Sequence, residues 1–228
     1  MVGGQFLAES IENKEEIRSL LRVREPYKDK EDEILDMLVS SGALLRGHFK
    51  LESGKDTDIC FRFSSVAGRR SYVERIADIL IAKLKADRVS FDAVIMQEAA
   101  GRVLGGTIAD KLNKRKIIVE TDDRNRPTET LINETTLYPG DRVLIVCDLS
   151  TTGEGLRKMA KSVRWKKAVP VAIALFATRD KKAMLEFEQE QGLKVYAVAD
   201  LAFEGRTTSP ADCQLCREHK PFVLSWET

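Results

Sequence analysis

The sequence predicts a doubly wound α/β fold, and three observations support that prediction. From residue 71 onward, segments of helical periodicity alternate with short apolar runs. These runs are nearly continuous in apolar residues, which is typical of parallel strands buried on both faces. A repeated order of strand and helix is the pattern of a parallel sheet covered by helices. The 228 residues are enough for one such domain with a sizeable core.

Two helices and a strand pair are predicted before this alternation begins. Residues 5–24 form a charged segment with apolar residues at helical spacing, and Pro26 then interrupts the pattern. A second helix is expected over 29–41, with Gly42 as its C-cap. In residues 43–66 apolar and polar residues alternate around a Gly-containing turn, so this segment is predicted to form two hairpin-like strands.

The rest of the chain is assigned from the same periodicities. The predicted helices cover residues 71–86, 102–113, 153–164 and 180–191. The predicted strands cover residues 92–96, 116–120, 141–147, 170–177 and 194–200. The sequence therefore predicts a mostly parallel five-stranded sheet with a small N-terminal hood, the name used here for the segment of about residues 41–66.

The chain is expected to divide into two parts. Residues 1–28 are predicted to be an N-terminal helical extension, and residues 29–228 a single domain. Within that domain the core is expected over about residues 71–202, and the C-terminal tail over residues 203–228.

Charge and composition argue against several classes of protein. The formal net charge is +1, which gives no general attraction to nucleic acid or to a membrane surface. No apolar run is long enough to span a bilayer, and the first residues lack the basic and apolar segments of a signal peptide. Four cysteines do not indicate a disulfide framework. We therefore expect a cytoplasmic protein that binds neither nucleic acid nor membranes.

The stretch VLIVCDLSTTGEG, residues 143–155, is the most informative part of the sequence. Ligands of doubly wound sheets bind beyond the C-terminal ends of the strands, and here a strand is followed by Asp148, a hydroxyl-rich turn and a helix. The amides and dipole at the helix start, with the turn hydroxyls, indicate a phosphate site. An alternative is that Thr151 and Glu154 form a capping box, which would satisfy those amides internally. Asp148 favours the phosphate site, because its carboxylate can accept hydrogen bonds from ribose hydroxyls.

With these residues, the stretch resembles the phosphoribosyl diphosphate (PRPP) binding motif of type I phosphoribosyltransferases. That motif is an apolar strand, two acids, two variable residues and Thr-Thr-Gly. Other segments are similar, in order and spacing, to orotate phosphoribosyltransferases in particular: SGALLRGHFKLESGKDTD (41–58), QEAAGR (97–102), ALFATRD (174–180) and DCQLCREHKPF (212–222). The resemblance covers about residues 30–222.

The resemblance implies a reaction, ligands and site residues. Orotate would displace pyrophosphate from PRPP, with Mg²⁺ bound by way of PRPP and no metal ligand assigned in the chain itself. The implied partners are PRPP, a nucleobase or nucleoside monophosphate, and a second copy of the chain in a homodimer. Implied catalytic residues are Asp148, Arg124 and Arg126. Implied PRPP-binding residues are Asp148, Ser150, Thr151, Thr152, Gly153, Glu154, Gly155, Gly101 and Arg102. Implied base-binding residues are Lys55 and Arg179.

Three departures from the family pattern surround the expected reacting centre. Cys147 replaces the first acid of the pair, and it either packs as a small apolar residue or has a redox or metal role. Gln97-Glu98 replaces Gly-Pro, so Glu98 either belongs to a solvated helix start or pairs with Arg102. The basic mobile loop of the family corresponds to residues 121–130, which begin with Thr-Asp-Asp before Arg124 and Arg126. An exposed loop of mixed charge is the other interpretation of that segment.

Function hypotheses of different classes therefore stay open. The first is an orotate phosphoribosyltransferase-like enzyme of pyrimidine nucleotide biosynthesis or salvage. The second is a non-catalytic regulatory protein that binds PRPP or a nucleotide on the same scaffold. The third is a binding module that acts through residues 1–28.

A possible metal site lies in the tail. Cys213, Cys216 and His219 have the spacing of zinc ligands, but zinc usually needs four ligands and the sequence does not identify the fourth. A structural zinc site therefore stays an alternative to ordinary packing. His48, in a predicted hood strand, is expected to be structural.

Overall fold

Two sheets and their covering helices make up the part of the chain that the computed structural model describes, which is residues 8–51, 54–97, 100–123, 126–132, 137–203, 207–220 and 222–224. The strands are β1 (Glu9–Ser10), β2 (Leu21–Val23), β3 (Leu44–Lys50), β4 (Asp56–Phe61), β5 (Ala93–Gln97), β6 (Arg115–Thr121), β7 (Pro127–Ile132), β8 (Arg142–Ser150), β9 (Val169–Thr178), β10 (Val195–Leu201), β11 (Thr207–Thr208) and β12 (Val223–Leu224). The helices are α1 (Lys14–Leu20), α2 (Glu31–Ser41), α3 (Phe63–Ala67), α4 (Arg70–Ala86), α5 (Ala100–Lys111), α6 (Glu154–Trp165), α7 (Lys181–Gln191) and α8 (Gln214–Arg217), with a 3₁₀ helix at Glu25–Lys30.

The larger sheet has the strand order β2-β10-β9-β8-β5-β6-β7. Its five central strands run parallel and correspond to the five predicted strands, so the predicted fold class is confirmed. One antiparallel strand is added at each edge, β2 beside β10 and β7 beside β6. The sequence did not predict these two, because β2 has only three residues and β7 carries exposed polar residues in a segment expected to be a loop.

The N-terminal segment is less helical than predicted. Asn13 caps α1, since its side-chain oxygen accepts hydrogen bonds from the amides of Glu15 and Glu16 at 3.0 Å each. The helix ends at Leu20, because Leu21–Val23 pairs with the edge of the sheet. Ile17 and Leu21 are fully buried in the main core, so the apolar side of this segment is used inside the molecule.

The other predicted helices lie within two residues of their expected bounds. Gly42 ends α2 with a φ of 61°, the left-handed conformation that glycine adopts without strain. In the ranges that the structure describes, no helix combines the length and the apolar character needed to cross a membrane.

Both faces of the larger sheet are buried, as a doubly wound fold requires. Val94, Met96 and Val146 belong to a cluster that includes apolar residues of α2, α4 and α5. Ile95 and Ile145 belong to a second cluster with residues of α6 and α7. This alternation explains why the strands are almost uniformly apolar in sequence.

The hood forms the centre of the smaller sheet through the predicted strand pair β3 and β4. β1 and β12 both pair with β3, and β11 pairs with β4, so parts of the N-terminal segment and of the tail complete this sheet. Phe61, at the end of β4, stacks on Phe176 of β9 with ring centroids 5.6 Å apart. The hood is therefore joined to the main sheet through aromatic packing.

Two adjacent glycines of α5 should respond in opposite ways to alanine. A Cβ at Gly105 would lie 2.9 Å from Met96 Cβ and 3.3 Å from Val146 Cβ, whereas a Cβ at Gly106 has open space. Overpacking costs about 1–3 kcal/mol, and helical Gly→Ala gains up to about 1 kcal/mol. We expect urea unfolding to show Gly106→Ala more stable than the unmodified protein and Gly105→Ala less stable. Equal stabilities of the two variants would contradict the close packing of α5 on β5 and β8.

Candidate functional site

The C-terminal ends of β8 and β9 lie side by side at one edge of the larger sheet. Ser150 is opposite Thr178 in the parallel register, and the Arg179 amide donates to the Ser150 carbonyl at 2.9 Å. The turn after β8 and the residue after β9 are thereby held against each other. This edge is where ligands bind in doubly wound sheets.

The turn after β8 leads directly into α6, with Gly153 as the N-cap. The alternative prediction of a capping box is wrong, because that motif needs Thr151 as the N-cap. The observed N-cap is Gly153, and the helix begins at Glu154. Thr152 Oγ1 instead accepts a long hydrogen bond of 3.4 Å from the Glu154 amide. The Thr151 and Thr152 side chains are exposed and Ser150 is buried, so this turn presents hydroxyls and helix amides to an anion.

Glycine is required at two positions of this turn, called the phosphate loop (residues 150–155) from here on. Gly153 has a φ of 77°, and a Cβ there would lie 3.1 Å from atoms of Met184 and Phe187. A Cβ at Gly155 would lie 2.8 Å from the Pro127 ring, so α6 approaches β7 closely. The tight packing fixes where the first amides of α6 point.

Arg157 holds the phosphate loop from the helix side and was not identified from the sequence. Its Nη1 donates to the Thr152 carbonyl at 2.8 Å, and its Nη2 lies 2.7 Å from a Glu190 carboxylate oxygen. An arginine one turn into a helix carries no sequence signal for this role, because the contact depends on how α6 and α7 pack.

Asp148 has a half-buried carboxyl at the end of β8. Loss of hydration raises the pKa of Asp148 above its ordinary value, although backbone hydrogen bonds from Leu149 and Asp148 and, to a smaller extent, the positive charge of Arg179 act in the opposite direction. A desolvated carboxylate gains stability from any hydroxyl donor or cation that reaches it. Asp148 is therefore suited to accept hydrogen bonds from a polar ligand.

Cys147 is a core residue. It is 2 % exposed, it packs in the cluster shared with α6 and α7, and its Sγ lies 3.6 Å from the Leu149 carbonyl oxygen, to which it donates. Burial raises the pKa of the Cys147 thiol well above its ordinary value, so the thiol stays neutral. Among the two interpretations of Cys147, this environment favours a small packing residue over a redox or metal role.

The start of α5 lies against the end of β8. Gly101 is buried, and a Cβ there would lie 2.8 Å from Gln97 Cγ and 3.5 Å from Cys147 Cα. The structure thus brings Gly101 to the same sheet edge as Asp148, with an exposed Arg102 beside it. Glu98, and with it the question of a pair with Arg102, lies outside the described residues.

Asp122, which follows β6, and Arg126, which precedes β7, are hydrogen bonded to each other. The Asp122 amide donates to the Arg126 carbonyl at 2.9 Å, and Arg126 Nε donates to Asp122 Oδ2 at 2.8 Å. Pro127, next to Arg126, is the residue that contacts Gly155. Arg126 therefore lies close to the start of α6, while Arg124 lies outside the described residues.

The two residues predicted to bind the base lie in different places. Arg179 is half-buried beside the phosphate loop, with its guanidinium carbon 6.0 Å from the centre of the Phe203 ring. Lys55 is exposed at the turn between β3 and β4. At about 3.3 Å per residue, it lies about 20 Å along the hood from Phe61, where the hood meets the main sheet. The role of Lys55 stays a prediction.

A second polar group at this sheet edge was missed from the sequence. Thr178 is fully buried and its Oγ1 donates to Asp200 Oδ1 at 2.7 Å. Arg24 Nη2 donates to the same carboxylate oxygen at 2.7 Å and to Thr178 Oγ1 at 3.3 Å. The group joins β2, β9 and β10 next to Arg179. It was not foreseen because the pairing of β2 with β10 was not foreseen.

Comparison with known proteins gives relatives along most of the chain. No protein-family model matches it. An orotate phosphoribosyltransferase of Thermus thermophilus is 31 % identical over 193 residues, which are 83 % of this chain and 97 % of the relative. One from Pelotomaculum thermopropionicum is 29 % identical over 192 residues, 84 % of this chain and 95 % of the relative.

A solved structure agrees with these relatives. The crystal structure of orotate phosphoribosyltransferase from Aeropyrum pernix superposes with a TM-score of 0.63 at 25 % identity, covering 74 % of this chain and 93 % of that one.

Substitution of Cys147 tests whether its side chain serves the site or the core. We expect Cys147→Ala to bind ribose 5-phosphate and PRPP within about twofold of the unmodified protein and to lose about 1 kcal/mol of stability. Cys147→Asp should destabilise the fold by more than about 2 kcal/mol, because it buries a carboxylate among apolar side chains. Calorimetric titration and urea unfolding measure both effects. A tenfold loss of PRPP affinity in Cys147→Ala would place the thiol in the site.

Proposed function

The chain belongs to the orotate phosphoribosyltransferase family, and we propose that it transfers the ribose 5-phosphate group of PRPP to orotate in pyrimidine nucleotide biosynthesis. In this reaction the bond from the anomeric carbon to the pyrophosphate oxygen breaks and a bond to the orotate ring nitrogen forms. The ring nitrogen loses its proton, and the products are orotidine monophosphate and pyrophosphate.

The observation that supports this proposal best is the convergence of three groups at one sheet edge. The phosphate loop, the Asp148 carboxyl and Arg179 lie at the paired C-terminal ends of β8 and β9. A phosphate needs an anion site, ribose hydroxyls need a hydrogen-bond acceptor, and an acidic base needs a cation.

The phosphate loop is proposed to hold the 5-phosphate. The amides at the start of α6 and the hydroxyls of Thr151 and Thr152 are donors, and the positive end of the helix dipole favours the phosphate charge. Each charge-assisted hydrogen bond contributes about 1.5–3 kcal/mol, so several together bind a monoester firmly. Glu154 lies on α6 within 3.3 Å of Lys158, which offsets its charge.

Asp148 and Arg179 are proposed to position the two reacting parts. The Asp148 carboxylate accepts hydrogen bonds from ribose hydroxyls, which orients the anomeric carbon. The Arg179 guanidinium is proposed to bind the orotate carboxylate, for which its planar donors are suited. The Arg179 amide donates to the Ser150 carbonyl, so the backbones that carry the proposed base-binding and phosphate-binding groups are joined directly.

Magnesium is the proposed cofactor. Mg²⁺ prefers hard oxygen ligands and binds substrate phosphates with one or two carboxylates. Asp148 fits this requirement and the buried thiol of Cys147 does not, so PRPP oxygens and water would supply most of the ligands. When bound, the ion would neutralise charge on the departing pyrophosphate.

The pyrophosphate side is where this chain differs most from the family pattern. Gly101 and Arg102 are proposed to border the pyrophosphate. Arg126, in the loop of residues 121–130, lies next to Pro127, which contacts the start of α6, and it is proposed to reach the pyrophosphate from there. Arg124 is proposed to act with it. We further propose a cytoplasmic homodimer, as the family resemblance implies.

A second function is favoured by two specific observations. Cys147 is used in the core instead of offering a second carboxylate, and Arg126 is paired with Asp122. A non-catalytic protein that binds PRPP or a nucleotide through the phosphate loop would tolerate both features. Binding and turnover distinguish it from the enzyme.

Asp148→Asn tests the site and the reaction together. With Mg²⁺ present, we expect the unmodified protein to bind PRPP at least about tenfold more tightly than ribose 5-phosphate and to convert orotate to orotidine monophosphate. Asp148→Asn should weaken PRPP, ribose 5-phosphate and orotidine monophosphate by about 10- to 100-fold, the loss of a charged hydrogen bond. Calorimetry and an absorbance assay for orotate measure these values.

Asp110→Asn, in an exposed ion pair on α5, is the matched control and should leave all of them unchanged. Equal affinities for PRPP and ribose 5-phosphate, without turnover of orotate or another base, would exclude the enzyme and support the binding protein.

Arg126→Gln tests whether the loop assists the departure of pyrophosphate. We expect kcat to fall by about 10- to 100-fold with little change in the KM for orotate, because the lost cation acts on charge that develops in the transition state. Lys161→Gln is the control, since Lys161 is also exposed beside β7 and pairs with Glu129 at 2.7 Å. A kcat for Arg126→Gln equal to that of the control would exclude the role.

A further inference from the structure

Four potential metal ligands meet where the tail covers the hood. His48 lies on β3, Asp56 begins β4, and Cys213 and Cys216 flank the start of α8. Their ligand atoms all lie within 4.8 Å of one another. His48, Asp56 and Cys213 are buried and Cys216 is half-buried. The hood and tail residues are more than 150 positions apart in sequence, so the fold itself brings them together.

The separations match a tetrahedral zinc site. With zinc–sulfur bonds of about 2.3 Å and zinc–nitrogen or zinc–oxygen bonds of about 2.0–2.2 Å, tetrahedral geometry puts sulfur about 3.5–3.7 Å from nitrogen or oxygen. The same geometry puts nitrogen about 3.3–3.5 Å from oxygen. His48 Nε2 lies 3.6 Å from Cys213 Sγ and 3.4 Å from Cys216 Sγ. Cys216 Sγ lies 3.5 Å from Asp56 Oδ2, and His48 Nε2 lies 3.6 Å from Asp56 Oδ1.

Residues around His48 orient its ring so that Nε2 can bind a metal. His48 Nδ1 lies 2.9 Å from the Lys220 carbonyl oxygen, to which it donates. This hydrogen bond leaves Nε2 unprotonated in the neutral ring, with its lone pair directed into the cluster. Metal-ligating histidines in proteins commonly have such a carbonyl or carboxylate partner on the other ring nitrogen. Phe222 packs edge-on against the His48 ring, with centroids 6.0 Å apart.

Asp56 provides an independent reason to expect a cation. Its side chain is fully buried, and Oδ1 has no hydrogen bond within the described part of the chain. Lys50 Nζ lies 3.4 Å from this oxygen. A buried carboxylate oxygen that has no hydrogen bond is costly. Two thiolates, one carboxylate, one divalent ion and the Lys50 ammonium sum to zero charge, so a metal completes the electrostatics of the cluster.

We propose that His48, Asp56, Cys213 and Cys216 bind a structural zinc ion that fastens the tail to the hood. Four protein ligands close the coordination shell, which is the arrangement of structural zinc sites. Besides the main core, the hood has a separate small apolar cluster whose buried residues are Leu45, Phe49 and Cys60. Because this cluster is small, a metal ion that links the tail to the hood adds stability there.

The proposed ligand set corrects the one considered from sequence. His219 is exposed, with a φ of 54°, at the end of α8, and it does not belong to the cluster. His48 and Asp56 take its place as third and fourth ligands. The zinc site is separate from the phosphate loop and does not depend on the proposed transferase activity.

Metal analysis of the purified full-length protein tests the site. We expect about one zinc per chain, and we expect cobalt exchanged for zinc to give the intense visible and thiolate charge-transfer absorption of a tetrahedral thiolate site. Removal of zinc with a strong chelator should lower the Tm, and added zinc should restore it. His48→Gln, Cys213→Ser and Cys216→Ser should each lose stoichiometric zinc.

Two matched controls keep the test independent of folding defects. His219→Asn replaces the other histidine of the chain with a residue that tolerates positive φ, and Cys147→Ala replaces a cysteine outside the cluster. Both should keep about one zinc per chain. The proposal would be overturned by any one of three results. Zinc-free protein could take up no zinc under reducing conditions, Cys213 and Cys216 could form a disulfide in place of binding zinc, or His219→Asn could lose its zinc.

Discussion

The parallel pairing of β8 with β9 is the constraint on which the candidate site depends. Because Ser150 is opposite Thr178 and accepts the Arg179 amide, the start of the phosphate loop is joined directly to the backbone at Arg179. The close approach of α5 to β8 at Gly105, and of α6 to β7 at Gly155, supports this pairing from both sides of the sheet. The site is thus preorganised by strand pairing together with the packing of helices around it.

Local periodicity was sufficient to predict most of the fold, and contacts between distant segments account for what it missed. The five parallel strands and α4 to α7 have long, regular patterns that depend on burial alone. β2 is too short to show a period, and its pairing with β10 is set by a partner more than 170 residues away. The phosphate loop was predictable because its chemistry is contiguous. The core position of Cys147 and the Arg24–Thr178–Asp200 group were not, since each depends on which elements pack together.

The proposed zinc site shows the same limit more sharply. The Cys-x-x-Cys spacing in the tail indicates possible metal ligands, and in sequence the nearest candidate for a third ligand is His219. The structure instead places His48 and Asp56 of the hood hairpin against the two cysteines. β11 and β12 pair with opposite edges of that hairpin, so the tail is already committed to this surface by backbone hydrogen bonds. Sequence spacing identifies half of such a site when the other half comes from another element.

The energies of two possible contacts of Arg126 decide whether Asp122 prevents this arginine from binding pyrophosphate. The Asp122–Arg126 pair is exposed, with 34 % and 47 % of the two side chains accessible, and such pairs contribute only about 0–1 kcal/mol. A charge-assisted hydrogen bond from the same arginine to a diphosphate contributes about 1.5–3 kcal/mol. Exchange of Asp122 for the diphosphate is therefore favourable, and the pairing alone does not exclude Arg126 from catalysis. The replacement of the first acid by Cys147 has a different effect, because this side chain is buried in the core and cannot turn toward the ligand. Any loss of transferase activity relative to the family should therefore arise from the single remaining acid at Asp148 more than from the charge of the loop.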